Sequence, residues 1–491
     1  MKHGFSAVLG IALCCVAISH AQNLKTDREE FDKFVQQMID DFDNFRRQSM
    51  AQFAEFVRNP WKEFEETKPI PKPEPKPVPP VIMEDEDNKD LVKDNPVVIE
   101  DVVIPVIDEP QPKPLEPIEE VPVVNPEYVD FAFFGTADKV RCDKNCLPSL
   151  SRLSESGIAE MLQQLASEDF DNTILDCLQI RQDRKLSDWA YLQMLNKLAE
   201  SLYPSNPNEA QLMLAYLYLQ SGYRTRLGTD GTNLYMLYAS KHQIYEHPYY
   251  SVDGYNYYGV KNLPGRMNIC QASFPNEQSL SLLVNTNQTF ALDMTPEREI
   301  RSKAYPESKF SVSVNKNLLD FYSTYPSSAL DGNVMTRWAM YANTPMDRNV
   351  ADKLYPVLKG ILAEKSEYDA TNILLNTIQT GMEYEYDNKV WGTDRAFFPE
   401  ETLYYPYCDC EDRAILLTRM VRDLLGLKCL LVYYPGHLAA AIEYTGDDVT
   451  GDYILLDGHK YVIADPTYIN APIGRTMPGM DNAVAKVILL D

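Results

Sequence analysis

The hydrophobic positions near the start of the chain recur at a fixed interval of eleven residues. Phenylalanines stand at 31, 42, 53 and 64 and again at 34, 45 and 56, and Trp61 ends a third such series. Eleven residues make about three helical turns, so these side chains would lie along one stripe. The pattern predicts an amphipathic helix over residues 22–66, with Pro60 ending or kinking it. Through residues 26–64 such a helix either binds a partner protein or associates with a second copy of the chain. The alternative is that it packs against its own protein.

Residues 67–126 follow a different pattern, in which charged and proline positions alternate. Prolines occupy positions 69, 71, 73, 75, 77, 79 and 80, with lysine and glutamate between them. Proline fixes its own φ and restricts the residue before it, so this composition favours an extended polyproline II segment. It predicts an acidic, proline-rich linker that acts as a spacer.

Helical and strand periodicities alternate from residue 127 onward. Helical spacing marks 158–165, 188–202, 208–221, 351–365 and 370–382, and strand-like runs occur at 234–239, 249–258, 280–284 and 310–314. These patterns divide the rest of the chain into an α+β domain at 127–262, a β-rich segment at 263–346 and a last domain at 347–491. The predicted fold class is α+β and multi-domain.

The first 21 residues have the pattern of an export signal. Lys2 precedes an apolar run from Phe5 to Ile18, and Ser19-His20-Ala21 has the small-x-small form that signal peptidases cut. The run is shorter than the roughly 18 apolar residues that span a bilayer, and no later stretch is long enough. We therefore expect an exported protein, periplasmic or secreted, without a transmembrane segment.

Charge narrows the class of partner. The chain has 72 acidic and 46 basic residues and a formal net charge of -26. A field of that sign repels phosphate backbones, which argues against nucleic acid as a partner.

Cysteines are the next source of candidate chemistry. Beyond the signal they stand at 142, 146, 177, 270, 408, 410 and 429. Cys142 and Cys146 either form a small disulfide or stay as unpaired thiols. An odd number in an exported protein leaves at least one thiol that reacts, pairs between chains or is buried.

Cys410 stands where an amphipathic helix begins, and that helix runs to Gly426. The positive end of the helix dipole and the unpaired N–H groups there favour the thiolate, which is the nucleophilic form. The same N–H groups can donate to an oxyanion. The pattern predicts Cys410 as a nucleophile.

His437 and Asp465 follow on predicted strands. His437 comes after the Pro435-Gly436 turn, and Asp465 ends the return strand of a hairpin that turns at Asp457-Gly458. This order brings a thiol, an imidazole and a carboxylate to one edge of an antiparallel sheet. The three residues have the types that a cysteine catalytic triad needs, in which the carboxylate fixes the imidazole tautomer.

The stretch Asp409-Cys410-Glu411-Asp412-Arg413-Ala414, His437 on a strand and Asp465-Pro466-Thr467-Tyr468 together resemble the bacterial branch of the transglutaminase-like superfamily. The resemblance covers residues 347–491 and implies a papain-like core with Cys410, His437 and Asp465 as nucleophile, base and acid. It implies a cysteine peptidase or amidase acting through a thioester on a protein, peptide or cell-wall substrate, without a cofactor or a metal. The alternatives are a protein cross-linking transglutaminase and an inactive scaffold that binds peptides or cell wall.

The sequence departs from the family pattern at two places. Cys408 replaces the glycine that commonly stands two residues before the nucleophile, and a Cys408–Cys410 disulfide would inactivate the enzyme until it is reduced. The carboxylates beside Cys410 oppose the thiolate unless they cap the helix. Trp391 is the candidate for a second oxyanion donor.

An internal similarity suggests a second copy of the last domain. The stretch from Asn208 to Gly222 resembles that from Asp412 to Gly426, which places Asn206 at the position of Cys410. We read residues 127–262 as a possible degenerate copy that lacks the nucleophile, against the alternative of a helical domain with coincidental spacing.

Overall fold

The structure is a computed structural model that describes residues 61–73, 77–84, 95–98, 101–102, 118–166, 168–274, 276–446 and 449–490. It mixes helices and several sheets and is an α+β, multi-domain protein, as the sequence predicts. The predicted signal at 1–21 and the predicted helix up to residue 60 lie outside the described residues.

The α-helices of the described residues are numbered in chain order. They are α1 Glu155–Leu165, α2 Asp171–Arg184, α3 Asp188–Leu202, α4 Pro207–Gln220, α5 Lys316–Ser323, α6 Thr336–Asn343, α7 Arg348–Leu362, α8 Glu367–Gly381, α9 Asp387–Val390, α10 Pro399–Tyr404 and α11 Cys410–Leu425.

The strands fall into two groups along the chain, those between residues 61 and 330 and those between residues 383 and 489. The first group is β1 Trp61–Glu65, β2 Val81–Ile82, β3 Asn95–Val98, β4 Asp101–Val102, β5 Tyr128–Phe133, β6 Thr136–Arg141, β7 Thr225–Thr229, β8 Leu234–Ala239, β9 His242–Ile244, β10 Tyr250–Val252, β11 Tyr255–Gly259, β12 Arg266–Cys270, β13 Arg298–Arg301, β14 Lys309–Val312 and β15 Ser328–Leu330. The second group is β16 Glu383–Tyr384, β17 Tyr407–Cys408, β18 Cys429–Tyr434, β19 His437–Glu443, β20 Asp452–Leu456, β21 His459–Ala464, β22 Tyr468–Ile469 and β23 Lys486–Leu489.

The sheet of the last domain has the order β3-β20-β21-β19-β18-β23-β4, and α11 packs on β18 and β19. A two-residue turn joins β18 to β19 and places Tyr434 opposite His437. Gly436 takes a φ of 83° in this turn, which glycine adopts without the steric cost of a side chain. The strands are buried along almost their whole length, which is why they read as continuous apolar runs.

A second sheet repeats this arrangement earlier in the chain. Its order is β10-β11-β8-β7-β12-β1, and α4 packs on β7 and β8. The pairs from β10 to β12 are antiparallel, as are the corresponding pairs from β20 to β23. Duplication of a domain would produce this shared order. The assignment of residues 127–262 as a copy stays a prediction, and by this correspondence the copy would extend through β12.

The region 263–346 is less strand-rich than its composition predicts. Where the structure describes it, this region contains the short strands β12 to β15 together with the helices α5 and α6. Within the predicted strand at 280–284, Leu280 pairs with Ser240 in an isolated β-bridge and does not belong to a continuous strand. Side chains such as Leu280 and Leu282 are buried, so an apolar run here reflects packing of irregular backbone.

The prediction of helix is wrong for residues 61–65. Trp61 and Phe64 lie in β1, which pairs antiparallel with β12. Residues that continue a helical spacing can still extend when an open sheet edge satisfies their backbone groups. Tertiary pairing therefore overrides the eleven-residue period at this end of it.

The proline-rich residues from 68 to 84 are not a free spacer where the structure describes them. Lys72 and Met83 are buried, and β2 pairs in parallel with β22. Further along, the backbone of β3 pairs with β20 and that of β4 with β23. These parts of the predicted linker lie against the last domain.

One buried apolar cluster connects the two halves of the described protein. It contains Tyr191 and Leu214 from α3 and α4 together with Ile415 from α11 and Leu431 from β18. The site described below therefore rests on a core to which both domains contribute. Among the residues the structure describes, none of the helices has the length and apolar character needed to cross a membrane.

Candidate active site

Cys410 is the first residue of α11, and the local sequence explains why the helix begins there. Asp409 is the N-cap, and its backbone N–H donates to Asp412 Oδ2 at 3.2 Å in a capping box. Asp412 Oδ1 also accepts from the backbone N–H of Phe397 at 2.8 Å. Asp412 thus caps the start of the helix, and Cys410 itself is 4% exposed.

His437 begins β19, and its ring is held by a carboxylate. His437 Nε2 lies 2.8 Å from Asp465 Oδ2, and both side chains are buried. Asp465 Oδ1 accepts from the backbone N–H groups of Thr467, at 2.8 Å, and Tyr468. Within the described residues His437 Nδ1 is buried without a hydrogen-bond partner. The ring therefore has one nitrogen fixed and one available for a thiol proton.

The predicted residues meet at one cleft of about 270 Å³. Cys410, His437 and Leu438 line it, and Asp465 supports His437 from behind. Leu438, the residue after His437, lines the same cleft as Cys410. The structure thus brings Cys410 to the strand that carries His437, as the sequence order requires.

The environment of Cys410 nevertheless favours the neutral thiol. Burial raises the pKa of Cys410 well above its ordinary value, and the charges of Glu411 and Asp409 raise it further. The thiol donates to Glu411 Oε2 at 3.3 Å. Cys410 in this arrangement is a protonated thiol bound to a carboxylate.

The cleft wall next to Cys410 is acidic, with Asp387, Asp394, Asp409 and Glu411 among its lining residues. Oxygens of Asp387, Asp394 and Glu411 lie within 4.8 Å of one another, an arrangement of the kind that hard divalent cations prefer. Burial, aided by the Glu411 charge, raises the pKa of Asp387 to about 8. The charge of Glu411 thus disfavours ionisation of Asp387, and the wall favours a positive charge.

A buried arginine supplies part of that charge. Arg337 Nη1 donates to Asp394 Oδ2 at 2.6 Å, and Arg337 Nη2 lies 3.9 Å from Glu411 Oε1. Arg337 is 1% exposed. It comes from α6, in the segment at 263–346 that the sequence pattern assigned to a β-rich region, and no motif in the sequence pointed to it.

Two further buried side chains hold the loop that carries Asp465. Gln379 Nε2 donates to the backbone oxygens of Asp465, Tyr468 and Ala471 at 3.1, 2.7 and 3.1 Å. Arg413 donates to the backbone oxygens of Gln379, Met382 and Pro466. Arg413 belongs to the recognised motif, but no signal in the sequence pointed to Gln379, which lies 86 residues before Asp465.

The remaining sequence candidates lie elsewhere. All seven cysteines in the described part are free thiols, so neither the Cys142–Cys146 nor the Cys408–Cys410 disulfide is present. Cys408 Sγ accepts from Arg413 Nε at 3.4 Å. The Trp391 ring packs against Phe397 and Tyr405 instead of lining the cleft, which Gly392 does. Trp391 is therefore wrong as an oxyanion donor.

The first sheet carries no comparable triad at the corresponding places. Asn206 is the N-cap of α4 and makes no side-chain cap. Leu234 begins β8 as His437 begins β19, and Val260 follows β11 as Asp465 follows β21. With Asn206 matched to Cys410 by the sequence register and the other two by their places on the strands, this region has an amide and two aliphatic side chains where the last domain has its thiol, imidazole and carboxylate.

Comparison with known proteins gives little beyond this geometry. No protein-family model and no curated protein matches the chain. Among solved structures, the chain is similar to the crystal structure of a "putative protease" from Parabacteroides distasonis, with 12% sequence identity and a TM-score of 0.17. The match covers 51% of this chain and 42% of that one, so this chain spans under half of its neighbour's length. A TM-score this low supports no argument about the function of this chain.

Proposed function

We propose that the protein is a cysteine peptidase or amidase in which Cys410 is the nucleophile, His437 the base and Asp465 its orienting acid. The observation that carries the proposal is the His437 ring, which binds Asp465 through Nε2 and keeps Nδ1 unpaired beside the cleft that Cys410 lines. An imidazole held in this way, next to a thiol at a helix start, suits acyl transfer.

The reaction begins with proton transfer from Cys410 Sγ to His437 Nδ1. The sulfur then attacks the amide carbon, and the C–N bond breaks as the imidazolium gives its proton to the leaving amine. Water then attacks the thioester carbon as His437 accepts its proton, and the C–S bond breaks, which releases the carboxylic acid and regenerates the thiol as sulfur takes the proton back. Because the pKa of Cys410 is raised, the thiolate forms during the reaction as an ion pair with His437. We extend the proposal to an exported enzyme acting on protein, peptide or cell-wall amides, with water outcompeting amines for the thioester.

A scaffold that binds peptides without cutting them is the second candidate. It is favoured by the raised pKa of Cys410 and by its hydrogen bond to Glu411, both of which oppose attack. The two functions differ in whether the protein hydrolyses amides and whether that hydrolysis is lost when the Cys410 thiol is removed.

We expect the protein to hydrolyse members of a peptide and cell-wall amide library, and Cys410→Ala to lose about a thousandfold or more of that turnover. Cys429→Ala is the matched control, because Cys429 is a buried strand thiol outside the cleft. Iodoacetamide should label Cys410 faster than Cys429. Turnover that survives Cys410→Ala would refute Cys410 as the nucleophile. Absence of turnover on every library member, together with equally slow labelling of both thiols, would favour the scaffold.

A further inference from the structure

Residues 61–73 and 77–83 contact both domains, and part of this segment lies at the candidate active site. The segment starts as β1 on the edge of the first sheet, and the Thr67 backbone N–H then donates to Tyr249 O at 2.7 Å. Ile70 O accepts from the Glu246 N–H at 2.9 Å. After residue 70 the contacts pass to the last domain. We name residues 70–73 and 77–83 the strap.

Lys72 inserts its ammonium into the acidic wall of the cleft. Its side chain is 3% exposed, and Nζ donates to Thr393 Oγ1 at 2.9 Å and to the backbone oxygen of Asp394. Lys72 Nζ also lies 3.7 Å from Asp394 Oδ2, and Asp394 lines the cleft beside Cys410. A lysine on a proline-rich segment is normally solvated, so its burial identifies a place built for a cation.

The middle of the strap lies beside the reacting groups. Pro77 lines the same cleft as Cys410 and His437. The next backbone N–H, that of Val78, donates to Gly436 O at 3.0 Å, and Gly436 directly precedes His437. The strap is therefore held by main-chain hydrogen bonding at the position from which a substrate backbone would meet the thiol.

The end of the strap binds the loop after the triad acid. Val81 and Ile82 pair in parallel with Tyr468 and Ile469, and the Met83 N–H donates to Ile469 O at 2.9 Å. The Met83 side chain packs with Tyr468, Ala471 and Met477. Strand addition of this kind binds an extended peptide through its backbone and selects side chains through pockets.

We propose that the strap is a pseudosubstrate that occupies the groove for an extended polypeptide, in which Asp394 and Thr393 form a subsite for a basic side chain. The inference rests on the proposed function and adds to it a substrate class and a control of access. A substrate of this class carries a lysine or arginine at the position of Lys72 and an apolar residue at that of Met83. Only the fraction of molecules with the strap displaced binds substrate, so apparent activity scales with that fraction.

The test compares the full chain with a strap-released variant, Lys72→Ala with Val78→Pro. The changes remove the buried ammonium and the N–H that binds Gly436. We expect iodoacetamide to label Cys410 about tenfold faster or more in this variant, since charge-assisted and backbone hydrogen bonds to the groove are lost. Lys68→Ala, at an exposed position before the strap, is the control and should leave the rate unchanged. Unchanged slow labelling of Cys429 reports that the fold is intact.

A second readout does not depend on catalysis. A fluorescent peptide with the sequence of residues 68–83 is titrated, by anisotropy, into the strap-released variant that also carries Cys410→Ala. We expect the peptide to bind this released variant. Its affinity for a chain that has the native strap and Cys410→Ala should be at least about tenfold lower. Replacing the peptide's lysine at the position of Lys72 by glutamate should weaken its binding to the released variant. Equal labelling rates in native and released chains, or a peptide that does not bind the released chain, would overturn the inference. Peptide binding without Cys410-dependent turnover in any variant would refute the proposed function alone.

Discussion

Glu411 is the residue that most directly sets the state of the candidate nucleophile. Its carboxylate accepts a hydrogen bond from the Cys410 thiol, with Oε2 3.3 Å from Sγ. Burial is the largest cause of the raised pKa of Cys410, and the charge of Glu411 is the second largest. Burial also raises the pKa of Glu411, with Asp394 adding to the effect and Arg337 opposing it. The thiol thus belongs to a network of acidic groups that favours protons.

Glu411→Gln should lower the pKa of Cys410, because the negative charge beside the sulfur is removed while the side-chain volume is kept. A lower thiol pKa gives more thiolate at any pH below it. We therefore expect the pH profile of iodoacetamide labelling to shift to lower pH and the rate at pH 7 to rise. Glu297→Gln, an exposed carboxylate outside the cleft, is the control. If the pH profile of Cys410 labelling does not shift in Glu411→Gln, burial alone accounts for the raised pKa of the thiol.

The start of α11 is the element on which the site depends. Asp412 accepts two backbone N–H groups, from Asp409 and Phe397, and is fully buried. It therefore ties the helix start to the loop that leads from the acidic wall into α10. The sequence predicted a cap from Asp409, Glu411 or Asp412, but the bond from Phe397 to Asp412 joins segments that only the fold brings together.

Asp412→Ala should destabilise the protein by about 2 kcal/mol or more, because two buried N–H groups lose their acceptor. Asp412→Asn keeps one acceptor oxygen and should cost less. Urea unfolding followed by far-UV circular dichroism measures both. If alanine and asparagine cost the same small amount, the capping box contributes little to stability.

At the scale of the whole molecule, two sheets of the same strand order share one apolar core. The correspondence from β7–β8 to β18–β19, each with a helix packed on it, supports the proposal of a duplicated domain. Ile415 from α11 lies in the same buried cluster as side chains of α3 and α4. Separate domains of this size would otherwise unfold independently.

The shared core predicts one cooperative unfolding transition by calorimetry. Ile415→Ala should lower the midpoint of the whole transition at a cost of about 2 to 4 kcal/mol, because a buried cavity forms in a core that both domains use. Val357→Ala, at a side chain that is 46% exposed, should leave the transition nearly unchanged. Two separate endotherms, of which Ile415→Ala moves only one, would contradict the prediction.

Elements whose signals are local could be predicted from the sequence. The bounds predicted for α3 and β8 agree with the structure. Helix α11 begins at Cys410 and ends at Leu425, and its C-cap is Gly426, whose φ of 68° suits glycine. Periodicity and turn chemistry act over a few residues, so they can be read in the chain. The predicted strand at 249–258 divides into β10 and β11 because Asp253 and Gly254 both take positive φ in a turn.

Tertiary structure decided everything that depends on distant partners. Trp61 and Phe64 extend because an open sheet edge is available, and Lys72 is buried because Thr393 and Asp394, more than 300 residues away, surround its ammonium. Arg337 and Gln379 reach the site through contacts that leave no periodic trace in the chain. Side-chain pattern encodes which face of an element is buried, but the identity of its partner is fixed only when the segments pack together.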